Sequence, residues 1–250
     1  MKSPKNVIRF TQADSQSTGL ITRVIGFVPS RHLYVLFDNP TILDANPRKP
    51  KINRVTGDII ETLNETPELF HFKSKGLLIG TSSYEELQRN RYALDFQPSN
   101  AEGILDGGHN MLSMGIFFLS KVIDERDLRK IKTWDDLMET WNEFRDELDE
   151  VRDEFDFLIP VELLIPTDVK RETIEHFNIA LIDICAARNN NAQLAEEAKA
   201  NQKGFYEEIR KRFENKNPDL AARIEWKTNE WEADTARKVK VRDLIAMCWV

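Results

Sequence analysis

The sequence predicts an α/β fold of the α+β kind, a mixed central sheet with flanking helices. Three observations carry that expectation. The run "FLIPVELLIP" at 157–166 is nearly all apolar, as a strand buried on both faces requires. Residues 133 to 155 place Trp134, Leu137, Met138, Trp141, Phe144, Leu148, Val151 and Phe155 at steps of three and four, the spacing of a helix with one apolar face. Strand-like and helix-like segments also alternate along the chain, the order expected when both share one core.

Taken in order, Val7 to Phe37 is rich in β-type residues, notably "GLITRVIGFV" and "HLYVLF", and reads as two or three strands. "DNPTILDANPRKPKINRVTG" follows, with the Pro, Asn and Asp content of an ordered loop or lid. "GDIIETLNETPELF" reads as a short helix stopping at Pro67, and "KGLLIGTSSY" and "RYALDF" as strands. The helix at 133–155 has Thr133 and Asp136 at capping-box spacing. After the central strand, a helix from about Val169 to Ala187 is expected, capped by Thr167 or Asp168. "ARNNNAQL" then leads into another amphipathic helix reaching about Phe213. Three regions result: an N-terminal α/β region at 1–122, an acidic helical insertion at 123–156, and a strand-plus-helix region at 157–250. The apolar end, "VRDLIAMCWV", leaves two alternatives open: the chain continues, or this end docks into the core.

With 250 residues the chain can bury a substantial core, as one large domain or two small ones. No apolar run approaches the ~18 residues that would span a bilayer, and "MKSPKNVIRFTQ" lacks the apolar centre of a secretory signal. Cys185 and Cys248 are far apart in apolar surroundings, which suggests buried thiols in a reducing cytoplasm rather than a disulfide framework or metal cage. The formal charge of −7 argues against a uniformly basic nucleic-acid binder. From Asp124 to Glu154 there are 13 acids against 6 bases, which is the whole imbalance; the remainder is neutral on balance and can hold a local basic site. The acidic helix face is either a solvated surface or a docking face for a basic partner.

Function concentrates in "GILDGGHN" at 103–110, where a strand feeds a helix through Asp106, Gly107, Gly108, His109 and Asn110. Glycines let the backbone approach a ligand closely, and the amides of a following helix attract phosphate. His109 can donate to a phosphate oxygen or act as acid or base near neutral pH, and Asp106 can orient it or hold a divalent cation such as Mg²⁺. The plain structural account is a tight corner in which Asp106 caps and His109 packs. The turn is neither a Walker phosphate loop nor a GxGxxG fingerprint. A second constellation, Arg188, Asn189, Asn190, Asn191 and Gln193, offers a guanidinium fork and several carboxamides, or else is an ordinary polar turn. A basic set, Arg48, Lys49, Lys51 and Arg54 with Lys73 and Lys75, can form a phosphate-facing wall.

"GILDGGHN" followed by a helix resembles the DGQHR-type motif. With "ARNNNAQL" and "NPRKPKINRVTGDIIETLNETPELFHFKSKGLLI" it resembles the abortive-infection phage-resistance (AIPR) family, over roughly residues 45–120 and 158–215. The resemblance implies a core similar to the ParB/sulfiredoxin-like fold, with the strand–turn–helix loop on a nucleotide phosphate. Gly107, Gly108 and His109 include no cysteine, so sulfinic-acid reduction is not expected; Asn110 stands where related motifs carry Arg or Thr, and Arg188 is the candidate to supply the missing charge. The leading expectation is a cytoplasmic anti-phage defence protein binding a nucleotide or nucleic-acid phosphate, with hydrolysis of a phosphoester by Asp106 and His109 as an extension. The alternative is a non-catalytic sensor or partner-binding module. A homo-oligomer is compatible with either.

Overall fold

The computed structural model describes residues 6–47, 49–97, 101–189, 206–225 and 239–248. Their strands are β1 (Asn6–Arg9), β2 (Gln12–Thr18), β3 (Ile21–Pro29), β4 (Leu77–Gly80), β5 (Ser83–Leu87), β6 (Arg91–Asp95), β7 (Gly103–Asp106), β8 (Leu158–Pro166), β9 (Ile224–Glu225) and β10 (Val239–Lys240). Five of these make the main sheet, in the order β2-β3-β8-β4-β7. β8 runs antiparallel to β3 along its whole length, from Ile21 opposite Pro166 to Pro29 opposite Leu158, and parallel to β4, from Leu77 opposite Val161 to Gly80 opposite Leu164. The sheet is therefore mixed, and the apolar run holds its centre. β1, β6 and β5 form a separate antiparallel sheet in that order.

The helices are α1 (Ser30–Leu33), α2 (Arg54–Glu65), α3 (Phe70–Lys73), α4 (Gly108–Leu119), α5 (Glu125–Leu128), α6 (Trp134–Glu143), α7 (Arg145–Val151), α8 (Arg171–Asn189), α9 (Glu207–Lys216), α10 (Pro218–Ala221) and α11 (Val241–Cys248). α4 is the helix around which the core is built. All its residues except His109 are buried, as an apolar helix without a polar face demands. Gly115 permits α6 to approach, since a β-carbon there would lie 2.6 Å from Leu137 Cδ1. Around α4 the aromatic rings close-pack: Phe37 stacks on Trp141 at 4.5 Å and Phe118 lies 4.2 Å from Phe155. Such pairs add about 0.5–1.5 kcal/mol each beyond area burial.

Three elements differ from the sequence-based expectation. "KGLLIGTSSY", read as one strand, is divided after Gly80 between β4 of the main sheet and β5 of the separate one. "HLYVLF" is not a strand: the chain leaves β3 at Pro29 and winds through α1 and a 3-10 turn at Tyr34–Asp38. Leu33, Tyr34, Leu36 and Phe37 are all buried, and a helical turn projects them into the core together, whereas a strand would send alternate ones to opposite faces. The helix expected at 133–155 is broken at Phe144 (φ −108°, ψ 25°) into α6 and α7. Its cap is the expected one, with Thr133 Oγ1 accepting from Asp136 N–H at 3.2 Å and Asp136 Oδ2 accepting from Thr133 N–H at 2.9 Å. Arg145, just past the break, binds Asp38 through two nitrogens at 2.6 and 2.9 Å and Tyr34 Oη at 2.7 Å, which turns α7 back onto the core. The acids Asp135, Glu139, Glu143, Asp146, Glu147, Asp149 and Glu150 are exposed.

The loop between Asp38 and α2 is ordered. It is stitched to the start of α6 by Ile52 N–H to Lys132 O (2.9 Å), Trp134 N–H to Pro50 O (3.3 Å) and a bridge between Lys51 and Thr133. At the other end of the chain, Val241 of α11 is buried against Ile224 in a small cluster with Tyr206, Ile209, Phe213 and Leu244. The helix expected after 187 falls mainly at 190–205, outside the described residues, and α9 covers its last part. No described helix is long and apolar enough to cross a membrane.

Candidate functional site

The glycine turn is set by backbone geometry. β7 ends at Asp106, and Gly107 takes φ +100°, a conformation that side chains disfavour. A β-carbon on Gly107 would also lie 2.5 Å from Gly76 O and 2.8 Å from Leu77 Cδ2, so space as well as torsion requires glycine. Asp106 Oδ1 accepts from Gly107 N–H at 2.8 Å, closing the turn. α4 then starts at Gly108, with its first backbone bond from Met111 N–H to Gly107 O at 3.0 Å. Among the described residues no side chain caps this end. The amides of Gly108, His109 and Asn110 precede the first intrahelical bond, and these are the donors a helix offers to an anion.

This turn floors a cleft of about 690 Å³, within the usual range for small-molecule sites. Lys49 and Lys51 from the ordered loop, and Lys73 and Lys75 from α3 and the approach to β4, line it. Lys49 Nζ also binds Asp135 Oδ1 at 2.9 Å, and Lys73 Nζ binds Thr66 Oγ1 at 3.4 Å. α2 supplies Val55, Asp58, Ile59 and Thr62, behind its cap residue Asn53. Four ammonium groups and a helix N-terminus stand against the carboxylates of Asp58 and Asp106 and that of Asp135, which pairs with Lys49, so the cleft is cationic by about one charge plus the helix end.

His109 stands at the boundary between core and cleft. Burial pushes its imidazole below the ordinary histidine value, which favours the neutral ring at pH 7. Its Nδ1 is buried and makes no hydrogen bond to any of the described residues. Asn110 is turned inward: its Nδ2 donates to Gly76 O at 2.8 Å. In the structure Asn110 therefore ties α4 to the residue before β4, and one of its two side-chain N–H donors is used in doing so.

The second constellation divides. Asn189 lines the cleft, with its Nδ2 donating to Leu105 O at 3.0 Å and Cys185 O at 2.8 Å, which fixes the end of α8 to β7. Arg188 does not line the cleft. Its Nη2 binds both Glu162 oxygens at 2.8 and 2.6 Å, and Arg23 joins the same carboxylate at 2.8 Å. The lone charge on β8 thus draws Arg188 away along the helix, because neighbouring residues on a helix project about 100° apart. Arg54 is not among the lining residues either; its side chain is 94% exposed, with Nε 4.0 Å from Asp58, which does line the cleft. Arg48, Asn190, Asn191 and Gln193 lie outside the described residues. Lys73 and Lys75, distant from the turn in sequence, stand beside it in space.

Several lining residues escaped sequence reasoning: Asn46, Asn53, Val55, Asp58, Ile59 and Gly76. A signal for the α2 set was present, since 55, 58, 59 and 62 share the spacing of one helix face, but it shows only if the helix starts at Arg54 rather than at Gly57. Cys185 is buried, as its surroundings suggested, with Sγ 3.3 Å from Leu105 O.

Among the described residues no three His, Cys, Asp or Glu side chains converge as a metal cage would need. Asp106 and Asp58 are separate carboxylates on the cleft wall, and Asp106 Oδ1 is engaged by Gly107. That donor set suits a Mg²⁺ brought in and mainly held by ligand phosphates, rather than one caged by protein. No protein-family model, curated protein or solved structure matches the chain.

Proposed function

We propose that the cleft recognises the phosphate of a nucleotide or nucleic acid, and that the protein is a recognition module of cytoplasmic anti-phage defence, as its resemblance to the AIPR family and the DGQHR-type motif implies. The observation that carries this reading is that Lys49, Lys51, Lys73 and Lys75 line the same cleft as the N-terminus of α4. Lysines there are point charges, and the helix amides add directional donors at the same spot. In a ParB/sulfiredoxin-like core, which the motif implies, phosphate would sit at this turn. Mg²⁺ would accompany the phosphate, with Asp106 as its protein contact.

Hydrolysis of a phosphoester is the second reading. It is favoured by one observation, the placement of the His109 imidazole in the cleft lining beside the helix amides; burial lowers its pKa, which favours the neutral form a general base must have. Recognition stands first because Asp106 is engaged in closing the turn and Arg188 is held by Glu162.

The deciding experiment is a thermal-shift series with pyrophosphate, nucleoside triphosphates and short oligonucleotides, with and without Mg²⁺, on the wild type and on His109→Ala. Ligand at 100 times its Kd stabilises by about 2.7 kcal/mol, several degrees for a chain of this size. A shift with phosphate ligands and no turnover supports recognition. Product formation that is lost in His109→Ala supports hydrolysis. No shift with any of them, in a folded sample, sinks both.

A further inference from the structure

The wall of the cleft facing solvent along α2 does not have the chemistry of a phosphate site. Val55, Asp58, Ile59 and Thr62 occupy one face at i, i+3, i+4 and i+7, and all four line the cleft. The adjoining side of the helix, about 90° round from Val55, packs into the protein through buried Thr56 and Leu63, with Ser113 Oγ donating to Thr56 O at 3.3 Å and Ile59 at the border between core and cleft. The orientation of α2 is thus fixed by its core face, and what it offers the cleft is two aliphatic side chains, a carboxylate and the Thr62 hydroxyl, which donates to Asp58 O at 3.0 Å. Val55 is 53% exposed, an aliphatic surface open to the cleft. Asp58 is 68% exposed, with its nearest cation, Arg54, at 4.0 Å. A carboxylate repels phosphate and accepts hydrogen bonds from neutral hydroxyls. A groove tracking a nucleic-acid backbone would carry cations or amides along this wall.

The cleft is therefore divided: cationic at the glycine turn and α3, hydroxyl-accepting at Asp58, aliphatic at Val55 and Ile59. We propose that its ligand is a free mononucleotide, with its phosphate at the α4 N-terminus, its ribose hydroxyls on Asp58 and its base against Val55 and Ile59. This inference rests on the phosphate reading of the cleft and narrows it. A carboxylate on the ribose diol is the device by which dinucleotide sites select ribose, and a flat base gains by covering aliphatic surface. A sugar phosphate shares the anion and the diol but not the base.

The test is equilibrium binding at fixed ionic strength with pyrophosphate, ribose 5-phosphate, the four ribonucleoside monophosphates, their 2′-deoxy forms and a single-stranded oligonucleotide. The proteins are the wild type, Val55→Ser and Asp58→Asn; both positions are exposed, so the variants keep the fold, which thermal melting verifies. At least one ribonucleoside monophosphate should bind more tightly than pyrophosphate despite its smaller charge. Val55→Ser should weaken that nucleotide about tenfold and spare pyrophosphate. Asp58→Asn should weaken it about tenfold, remove its advantage over the deoxy form and leave pyrophosphate as tight or tighter. The inference is overturned if pyrophosphate binds as tightly as every nucleotide, if ribose 5-phosphate equals them, if the oligonucleotide binds best, or if the substitutions affect all ligands alike. Failure of pyrophosphate and nucleotides together would overturn the phosphate reading itself.

Discussion

The side-chain amide of Asn110 donates to the carbonyl oxygen of Gly76 at 2.8 Å, and this bond joins the first turn of α4 to the segment entering β4. The two residues are 34 positions apart, and both line the cleft. Because Asn110 is buried, its removal leaves an acceptor without its donor. Asn110→Ala is expected to cost about 1–3 kcal/mol, read as a fall of several degrees in Tm. An unchanged Tm would mean the bond does not hold the turn.

The two glycines of the turn should respond differently to alanine. Gly107→Ala meets a positive φ and a 2.5 Å contact with Gly76 O, whereas the nearest atom to a β-carbon on Gly108 is Asn46 Nδ2 at 3.3 Å. The first change should destabilise by on the order of 2–4 kcal/mol and the second by under about 1 kcal/mol, since alanine favours the helix that Gly108 begins. Denaturant midpoints measured side by side would show it. Equal losses would contradict the described turn.

Lys73 and Lys75 belong to the wall of the cleft rather than to the core. The double change to alanine should leave stability within about 0.5 kcal/mol while lowering pyrophosphate affinity about tenfold, with a weaker salt dependence. Titrations at two ionic strengths check both parts. Unaltered affinity would remove the lysines from the site.

Arg188 offers the opposite contrast. Held by Glu162 and turned from the cleft, it should be replaceable by alanine with no change in phosphate affinity. Its ion pair is 42% exposed on the arginine side, so the loss of stability should stay within about 1 kcal/mol. A clear loss of binding in Arg188→Ala would place the guanidinium in the cleft.

Burial lowers the pKa of His109, and that of His32 as well, where Arg31, Arg9 and Arg152 add to the effect. Each ring takes up its proton more readily in the unfolded chain, so between the folded value and about 6.5 the unfolded state binds more protons. Stability from this source is complete above pH 6.5 and declines as the pH falls toward the folded value. His109→Phe should flatten that decline by the His109 share, leaving the His32 share. Parallel Tm profiles of wild type and variant from pH 7.5 to 5 would disprove it.

Much of the sheet was legible in the sequence because its signals are local. "FLIPVELLIP" lacks polar faces, and only a strand covered on both sides accommodates that; it became β8, paired with β3 and β4. The Thr133–Asp136 box likewise marked the start of α6, since a cap bonds within four residues. The glycine turn could be singled out, but not the reason for its first glycine, which is the carbonyl of Gly76 and the side chain of Leu77 pressing on it from β4.

By itself, then, the sequence determined the alternation of strands and helices, the central strand, the acidic exposed helices and the turn at 106–110, all consequences of spacing and residue type over a few positions. The tertiary structure decided what meets that turn. It set Lys73, Lys75 and one face of α2 around it, turned Asn110 inward to Gly76, and left Arg188 to Glu162. Those outcomes depend on sheet order and on which face of each helix the core claims, and both are settled by contacts between residues tens of positions apart, where periodicity carries no information.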